Sequence, residues 1–251
     1  MNNGIREYWD RTSSAYQRNC KIPIRIHYGN GAPFEDELKI LGELKGKNIL
    51  DLGCGGGQCS IAMAQNGAIV TGIDISLEQI AFAKELAVKE KAEVHFYQHD
   101  GQNLHQLEDG TYDIVFSAWT LLYIEDLSEC FKEVHRVLKS KGKFIFSLPH
   151  PFYRTINPKT LRLKESYFEN GRCEYYETLS DGFRIKFVYF RHTFSDVLNA
   201  LINAEISLEG VIEPDSRIHY KGDPWYGKWD CNPKLMHYIP PTIIFKTGKR
   251  P

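Results

Sequence analysis

The sequence predicts an α/β chain built on a doubly wound sheet, and three observations carry that reading. From Lys47 to Leu148, short apolar runs rich in β-branched residues alternate with helical patterns. The first of these runs enters a glycine loop directly, in "ILDLGCGGGQC" at residues 49–59. An acid also stands at the carboxyl end of each of the first three strands: Asp51, Asp74 and Asp100. Strands joined through helices make parallel crossovers, and in such sheets ligands bind beyond the carboxyl ends of the strands.

The elements follow in order. "GIREYWDRTSSAYQ" places Ile5, Tyr8, Trp9, Thr12 and Tyr16 at helical spacing, an amphipathic N-terminal helix. "IHYGNGAPFED" breaks it with two glycines and a proline. A second short helix is expected over about 34–44, with Phe34, Leu38, Leu41 and Leu44 on one face. "KNILDL" is strand one, and a helix starts near Gln58. "AIVTGID" is strand two, followed by Ser76 as N-cap with Gln79 three residues on, a capping box. "EVHFYQHD" and "YDIVFSA" are strands three and four. "LSECFKEVHRVL" is an amphipathic helix and "GKFIFSL" is strand five. The rhythm stops after Pro149. "CEYYETLSDGFRIKFVYF" reads as two strands about an Asp181–Gly182 turn, Thr193 caps a further helix, and "ISLEGVIEP" and "YIPPTIIFKTG" are the last strands. The expected organisation is a single domain over 1–251: a helical lid (1–45), a core (46–149), a cap inserted after strand five (150–192), and a C-terminal helix with a sheet hairpin (193–251).

Composition narrows the class. The 251 residues are 42% hydrophobic and 25% charged, an ordinary globular balance. A net charge of −1 with no long Lys/Arg run speaks against a nucleic-acid or membrane-surface partner. There is no secretory start and no apolar run of spanning length, so a soluble cytoplasmic protein is expected. Six cysteines (Cys20, Cys54, Cys59, Cys130, Cys173, Cys231) show no CxxC spacing, which points to free buried thiols and no metal site.

The glycine loop then has to be matched to a ligand. Glycines let backbone approach a ligand closely, and the following helix offers free N–H groups. A dinucleotide site wants G-x-G-x-x-G; here Gly53, Gly55 and Gly57 give G-x-G-x-G, and Asp51 would repel a diphosphate. Asp74 is placed to take both ribose hydroxyls, and Asp100 to accept from an adenine amino group beside the Gly101–Gln102 backbone. The three acids describe a ligand with adenosine and a cation, and without phosphate.

"ILDLGCGGGQCSIAMAQNGAIVTGIDIS", "HDGQNL" and "YDIVFSAWTLLYIEDL" together resemble the successive motifs of the class I S-adenosylmethionine-dependent methyltransferases, from about Leu41 to Leu148. The resemblance implies a Rossmann-like seven-stranded sheet whose last strand is antiparallel, S-adenosyl-L-methionine as cofactor and S-adenosyl-L-homocysteine as product. Carried over, it puts Gly53, Cys54 and Gly55 at the methionine part, Asp74 and Ile75 at the ribose, Asp100, Gly101 and Gln102 at the adenine, and Ser117, Ala118 and Trp119 beneath the sulfonium. Trp9, Tyr16 and Tyr28 would close over the cofactor, as in small-molecule members that begin with a similar helix.

On the acceptor side, the N-terminal helix and the 150–192 insertion are aromatic and placed to close the crevice. If a base is required, His150 is the first candidate, then His192 and His27, with Glu213 last. "SAWT" stands where nucleic-acid amino methylases carry N-P-P-Y. The expected function is methylation of a small-molecule acceptor at oxygen, nitrogen or carbon, by a monomer or homodimer. Two alternatives stay open: a non-catalytic adenosylmethionine-binding regulatory subunit, and an RNA or protein methylase recruited by a partner. The latter would need a basic face from Arg154, Lys159, Arg162, Lys164 and Arg172.

Overall fold

The computed structural model describes residues 3–219, 223–227 and 231–250. In chain order it contains α1 (Asn3–Cys20), the single turn α2 (Glu35–Leu38), β1 (Asn48–Leu52), α3 (Gln58–Gln65), β2 (Ile69–Asp74), α4 (Leu77–Glu90), β3 (Val94–Gln98) and β4 (Tyr112–Ala118). These are followed by α5 (Leu127–Val137), β5 (Leu138–Pro149), a hairpin of β6 (Gly171–Thr178) and β7 (Arg184–Arg191), α6 (Phe194–Asn203), β8 (Ile206–Ile212) and β9 (Thr242–Lys249). Seven strands form one sheet in the order β3-β2-β1-β4-β5-β9-β8. The first five are parallel, and β9 runs antiparallel to both β5 and β8. This is the Rossmann-like sheet with an antiparallel last strand that the motifs implied. The β6–β7 ribbon pairs only with itself.

Helices cover both faces of the sheet, so the central strands show no polar alternation. Ile49, Leu50 and Leu52 of β1 are all fully buried. On one face, β1, β4, β5 and β9 pack against α5 and α6, with Phe146 stacked between Phe144 (4.5 Å) and Phe245 (4.9 Å). On the other, Ile49, Phe116 and Ile145 meet Met63 of α3 and Tyr28. Each fully buried aliphatic or aromatic side chain contributes roughly 1.5–3 kcal/mol, which makes the sheet a rigid platform for the loops at its edge.

The expected helix over 34–44 is only the turn α2. Lys39 takes a left-handed conformation (φ 52°), and Glu35 folds the chain back by accepting from Tyr28 Oη (2.5 Å) and the Leu41 N–H (2.7 Å). Leu41 and Leu44 are still buried, but from an irregular segment. Strand β5 begins earlier than its apolar run: Leu138 pairs with Tyr112, and after a bulge Lys143 pairs with Ile114.

Candidate functional site

The glycine loop leaves β1 between two neighbours that shape it. Gly53 N–H and Cys54 N–H both donate to the carbonyl of Ile73 in β2 (2.8 and 2.9 Å). On the other side, Thr120 after β4 donates to the carbonyl of Gly53 (3.1 Å), and a Cβ on Gly53 would lie 2.1 Å from the Thr120 side chain. Gly55 has positive φ (52°), and a Cβ there would meet nothing within 4 Å. It opens into a cavity of about 580 Å³ beyond the carboxyl ends of β1–β4, within the range of small-molecule sites.

Two carboxylates organise the loop side. Asp74 accepts from the Gly55 N–H (3.0 Å) and the Ser76 N–H (2.9 Å), one on each oxygen. Burial raises its pKa to about 6 against those bonds. Asp100 accepts from the Gln102 N–H (3.1 Å). Cys54, Gly55, Ile75, Gly101 and Gln102 line the same wall, with Ala118, Trp119 and Thr120 beyond β4. Trp119 is held at φ 58°; its indole donates to Thr242 Oγ1 (2.9 Å) and lies against Gly29, where a Cβ would come within 2.2 Å of the ring. Next to Asp100, the buried Nε2 of His99 has no hydrogen-bond partner.

The opposite wall comes from α1 and the hairpin. Tyr8, Trp9, Thr12, Tyr16 and Gln17 of α1 face Tyr175, Glu177 and Leu179 of the β6 arm and Phe187 of β7. Tyr175 stands directly across from Phe187 in the ribbon, so strand alternation brings both to one face. Tyr16 accepts from the indole of Trp225 (3.0 Å), and its hydroxyl pKa is raised by burial. A buried amide relay ties α1 to the loop. Gln58 donates to Gln17 (2.7 Å), which donates to Gln79 (3.0 Å). Gly56 makes room for Gln17: a Cβ there would lie 2.4 Å from the Gln17 amide nitrogen. Ser76 does cap α4, accepting from the Gln79 N–H (3.2 Å), but the Gln79 side chain joins this relay instead of completing a capping box.

Most of the residues singled out from sequence converge here: Tyr16, Gly53, Cys54, Gly55, Asp74, Ile75, Asp100, Gly101, Gln102, Ala118 and Trp119 all line the cavity. Five do not. Asp51 is buried beneath the loop, accepting from Ser60 Oγ (2.5 Å), with burial raising its pKa to about 7. Ser117 is turned inward and donates to the Leu52 carbonyl (3.0 Å). Tyr28 is a core residue packed on Phe116 at 5.6 Å and bonded to Glu35. His150 is tied to Glu213 (Nε2–Oε1 2.7 Å) and accepts from the Phe152 N–H at Nδ1 (3.2 Å). His192 lies 2.9 Å through Nε2 from the Ile124 carbonyl. Burial lowers both histidines, in His150 against the opposing pull of Glu213. Each follows a strand end, His150 after β5 and His192 after β7, and neither is part of the cavity lining.

His27, the third histidine named from sequence, does line the cavity. Its Nδ1 is buried without a hydrogen-bond partner, its ring meets Trp225 at 4.9 Å, and burial lowers its pKa to about 4, so it is neutral at pH 7. Glu177, Tyr123 and Trp225 were not singled out as site residues, although the alternation of "CEYYET" could have marked Glu177 as sharing a face with Tyr175.

The cavity fits a phosphate-free adenosyl ligand. Its loop side offers two carboxylates and an open glycine cradle, and the cation in its lining, among the described residues, is Arg154. A diphosphate would meet acids there. Among the described residues there is no His/Cys/Asp/Glu group able to hold a metal ion, and no helix is long and apolar enough to cross a membrane.

Comparisons with known proteins bear on the core and the fold. A methyltransferase-domain family model matches residues 50–146. An uncharacterized protein of Haemophilus influenzae is 27% identical over 99% of both chains. The ubiquinone biosynthesis O-methyltransferase of Sodalis glossinidius is 32% identical over 49% of each, so the chain spans about half the length of that relative. Among solved structures, an S-adenosylmethionine-dependent methyltransferase from Mesorhizobium loti superposes with a TM-score of 0.67 at 25% identity, covering 84% of this chain and 95% of its own.

Proposed function

We infer that this chain, a class I S-adenosylmethionine-dependent methyltransferase by its matched core and its sheet, methylates a small molecule held between the glycine loop and the α1–hairpin wall. The observation that carries the small-molecule reading is the cavity itself. At about 580 Å³ it has room for an adenosyl ligand and a modest acceptor, and α1 with the hairpin walls it opposite the loop. Of the five basic residues that a macromolecular reading required, Arg154 lies in the cavity wall, Arg172 pairs with Glu174 and Lys164 with Glu165 (both 3.3 Å). The ubiquinone-biosynthesis relatives match only about half of this chain, so their acceptor is not carried over.

In this reading Asp74 takes the ribose hydroxyls on the lone pairs left by Gly55 and Ser76. Asp100, Gly101 and Gln102 meet the adenine, and Gly53–Gly55 admit the methionine portion. When bound, S-adenosylmethionine supplies a methyl group on a positively charged sulfur, already activated for in-line displacement. The chain therefore has to position the acceptor, exclude water and accept a proton where the acceptor carries one. Trp9, Tyr16 and Phe187 supply apolar walls that keep water out, and the amide relay holds α1 in register with the loop. Of the histidines named from the sequence, His27 lines the cavity with a neutral imidazole and is the candidate to take that proton.

Incubation with S-adenosylmethionine and pooled small-molecule acceptors tests this. We expect S-adenosylhomocysteine release that depends on an acceptor. Tight cofactor binding with no release from any pool would favour the non-catalytic binding subunit instead.

A further inference from the structure

We propose that the acceptor carries a protonated amine, anchored on Glu177 in an aromatic-walled subsite between α1 and the hairpin. The proposal rests on the methyltransferase reading for what the cavity holds, and names the class of its second ligand. Glu177 lines the cavity with both carboxylate oxygens engaged by phenols: Tyr8 Oη donates to one (2.8 Å) and Tyr175 Oη to the other (3.1 Å). Neutral donors orient a carboxylate without cancelling its charge.

The hairpin treats its other acids differently. Glu174 pairs with Lys186 (3.1 Å) and Arg172 (3.3 Å), and Asp181 pairs with Arg11 (2.8 Å). Among the described residues no Lys or Arg pairs with Glu177, so its charge is directed to the cavity. Aromatic rings surround it. Tyr8 meets Phe187 edge-on at 4.6 Å and Trp9 at 5.5 Å, and Phe187 meets Tyr175 at 5.1 Å and Tyr123 at 6.0 Å. A carboxylate among aromatic rings is the arrangement that selects an organic cation over its neutral and anionic counterparts.

Asp74 and Asp100 belong to the cofactor side. Arg154, the opposing cation in the wall, lies over the ring of Tyr189, 4.6 Å from its centroid. Burial and the neighbouring Glu177 raise the Tyr8 hydroxyl, which therefore stays protonated and keeps donating. A purely structural latch joining α1 to the hairpin would use the same bonds but would show no preference for ligand charge.

The experiment is a titration of the protein saturated with S-adenosylhomocysteine, read by tryptophan fluorescence, with benzylamine, benzyl alcohol and benzoate as probes. We expect benzylamine to bind about tenfold or more tightly than benzyl alcohol, with benzoate weakest. Glu177→Gln should abolish that order while leaving S-adenosylhomocysteine affinity within about twofold, and Tyr8→Phe should shrink it. Equal binding of the three probes, preference for benzoate, or an amine preference that survives Glu177→Gln would each overturn the proposal. The wild-type charge series decides even if Glu177→Gln does not fold. If S-adenosylhomocysteine itself fails to bind the wild type, the methyltransferase reading falls; if it binds and the amine preference is absent, only the amine does.

Discussion

Replacing Asp74 by Asn keeps the side chain's shape and removes its charge, and the structure shows what each change does. The two carboxylate oxygens accept from Gly55 N–H and Ser76 N–H respectively. An amide has one acceptor oxygen, so either orientation turns its NH₂ toward a backbone donor, at a cost of about 1–3 kcal/mol. Against this, burial lifts Asp74 from 3.8 to about 6. A shift of about two units makes the ionised form roughly 3 kcal/mol less favourable in the fold, and Asn removes that penalty. The two effects nearly cancel, so at pH 8 the melting temperature should move by only a few degrees.

Ligand affinity has no such compensation. Ribose hydroxyls donating to a charged carboxylate gain about 1–1.5 kcal/mol each over a neutral acceptor, or about 2–3 kcal/mol for two. S-adenosylhomocysteine should therefore bind roughly 30- to 150-fold more weakly. The pH dependence supplies a second signature. An acid whose folded pKa is raised contributes stability that is fully present below its unfolded value, here 3.8, and lost as pH rises through about 6. The ligand-free wild type should thus gain stability from this group as pH falls from 8 toward 4, and the Asn variant should lack that increment. Binding runs the other way, because the ionised carboxylate is the better acceptor: wild-type affinity should fall as pH drops through about 6, and the variant's should not. Calorimetry with S-adenosylhomocysteine across pH 5–8, beside thermal melts, reads both. Affinity within twofold of wild type, or an unchanged pH profile, would refute the assignment of Asp74 to the ribose.

Gly56→Val should push Gln17 out of its place, because a Cβ would lie 2.4 Å from the Gln17 amide nitrogen. With the Gln58–Gln17–Gln79 relay broken, we expect a loss of about 1–3 kcal/mol in a denaturation curve and weaker S-adenosylhomocysteine binding; unchanged affinity would show that α1 does not control the loop. His27→Phe should lower turnover about a hundredfold or more and spare S-adenosylhomocysteine binding, whereas His150→Gln and His192→Gln should leave turnover within about threefold. Wild-type turnover in the His27 variant would remove it as the proton acceptor.

The sequence by itself determined the sheet and the loop side of the site. Strand alternation, β-branched content and the spacing of Gly53, Gly55, Asp74 and Asp100 are properties of neighbouring residues, and backbone geometry converts them directly into position: a loop after a strand must emerge at the strand's carboxyl end. Period-two patterning likewise gave the hairpin, whose turn is marked by Asp181–Gly182. Tertiary structure decided which side chains face the cavity and which face the core. Asp51 and Ser117 stand at strand ends beside the loop, yet their partners Ser60 and the Leu52 carbonyl, brought in by α3 and β1, turn them inward. His150 was the natural base by position, but Glu213, 63 residues away, holds its ring outside the cavity lining. His27 enters the lining because its segment packs between Cys59 and Trp225. Glu177 acquires its phenol partner Tyr8 from a helix 169 residues earlier. Such pairings depend on contacts between segments distant in the chain, for which no local spacing carries a signal. The fold and the place of Asp74 and Asp100 at the cavity were therefore legible in the sequence, while the composition of the opposite wall was decided only by packing.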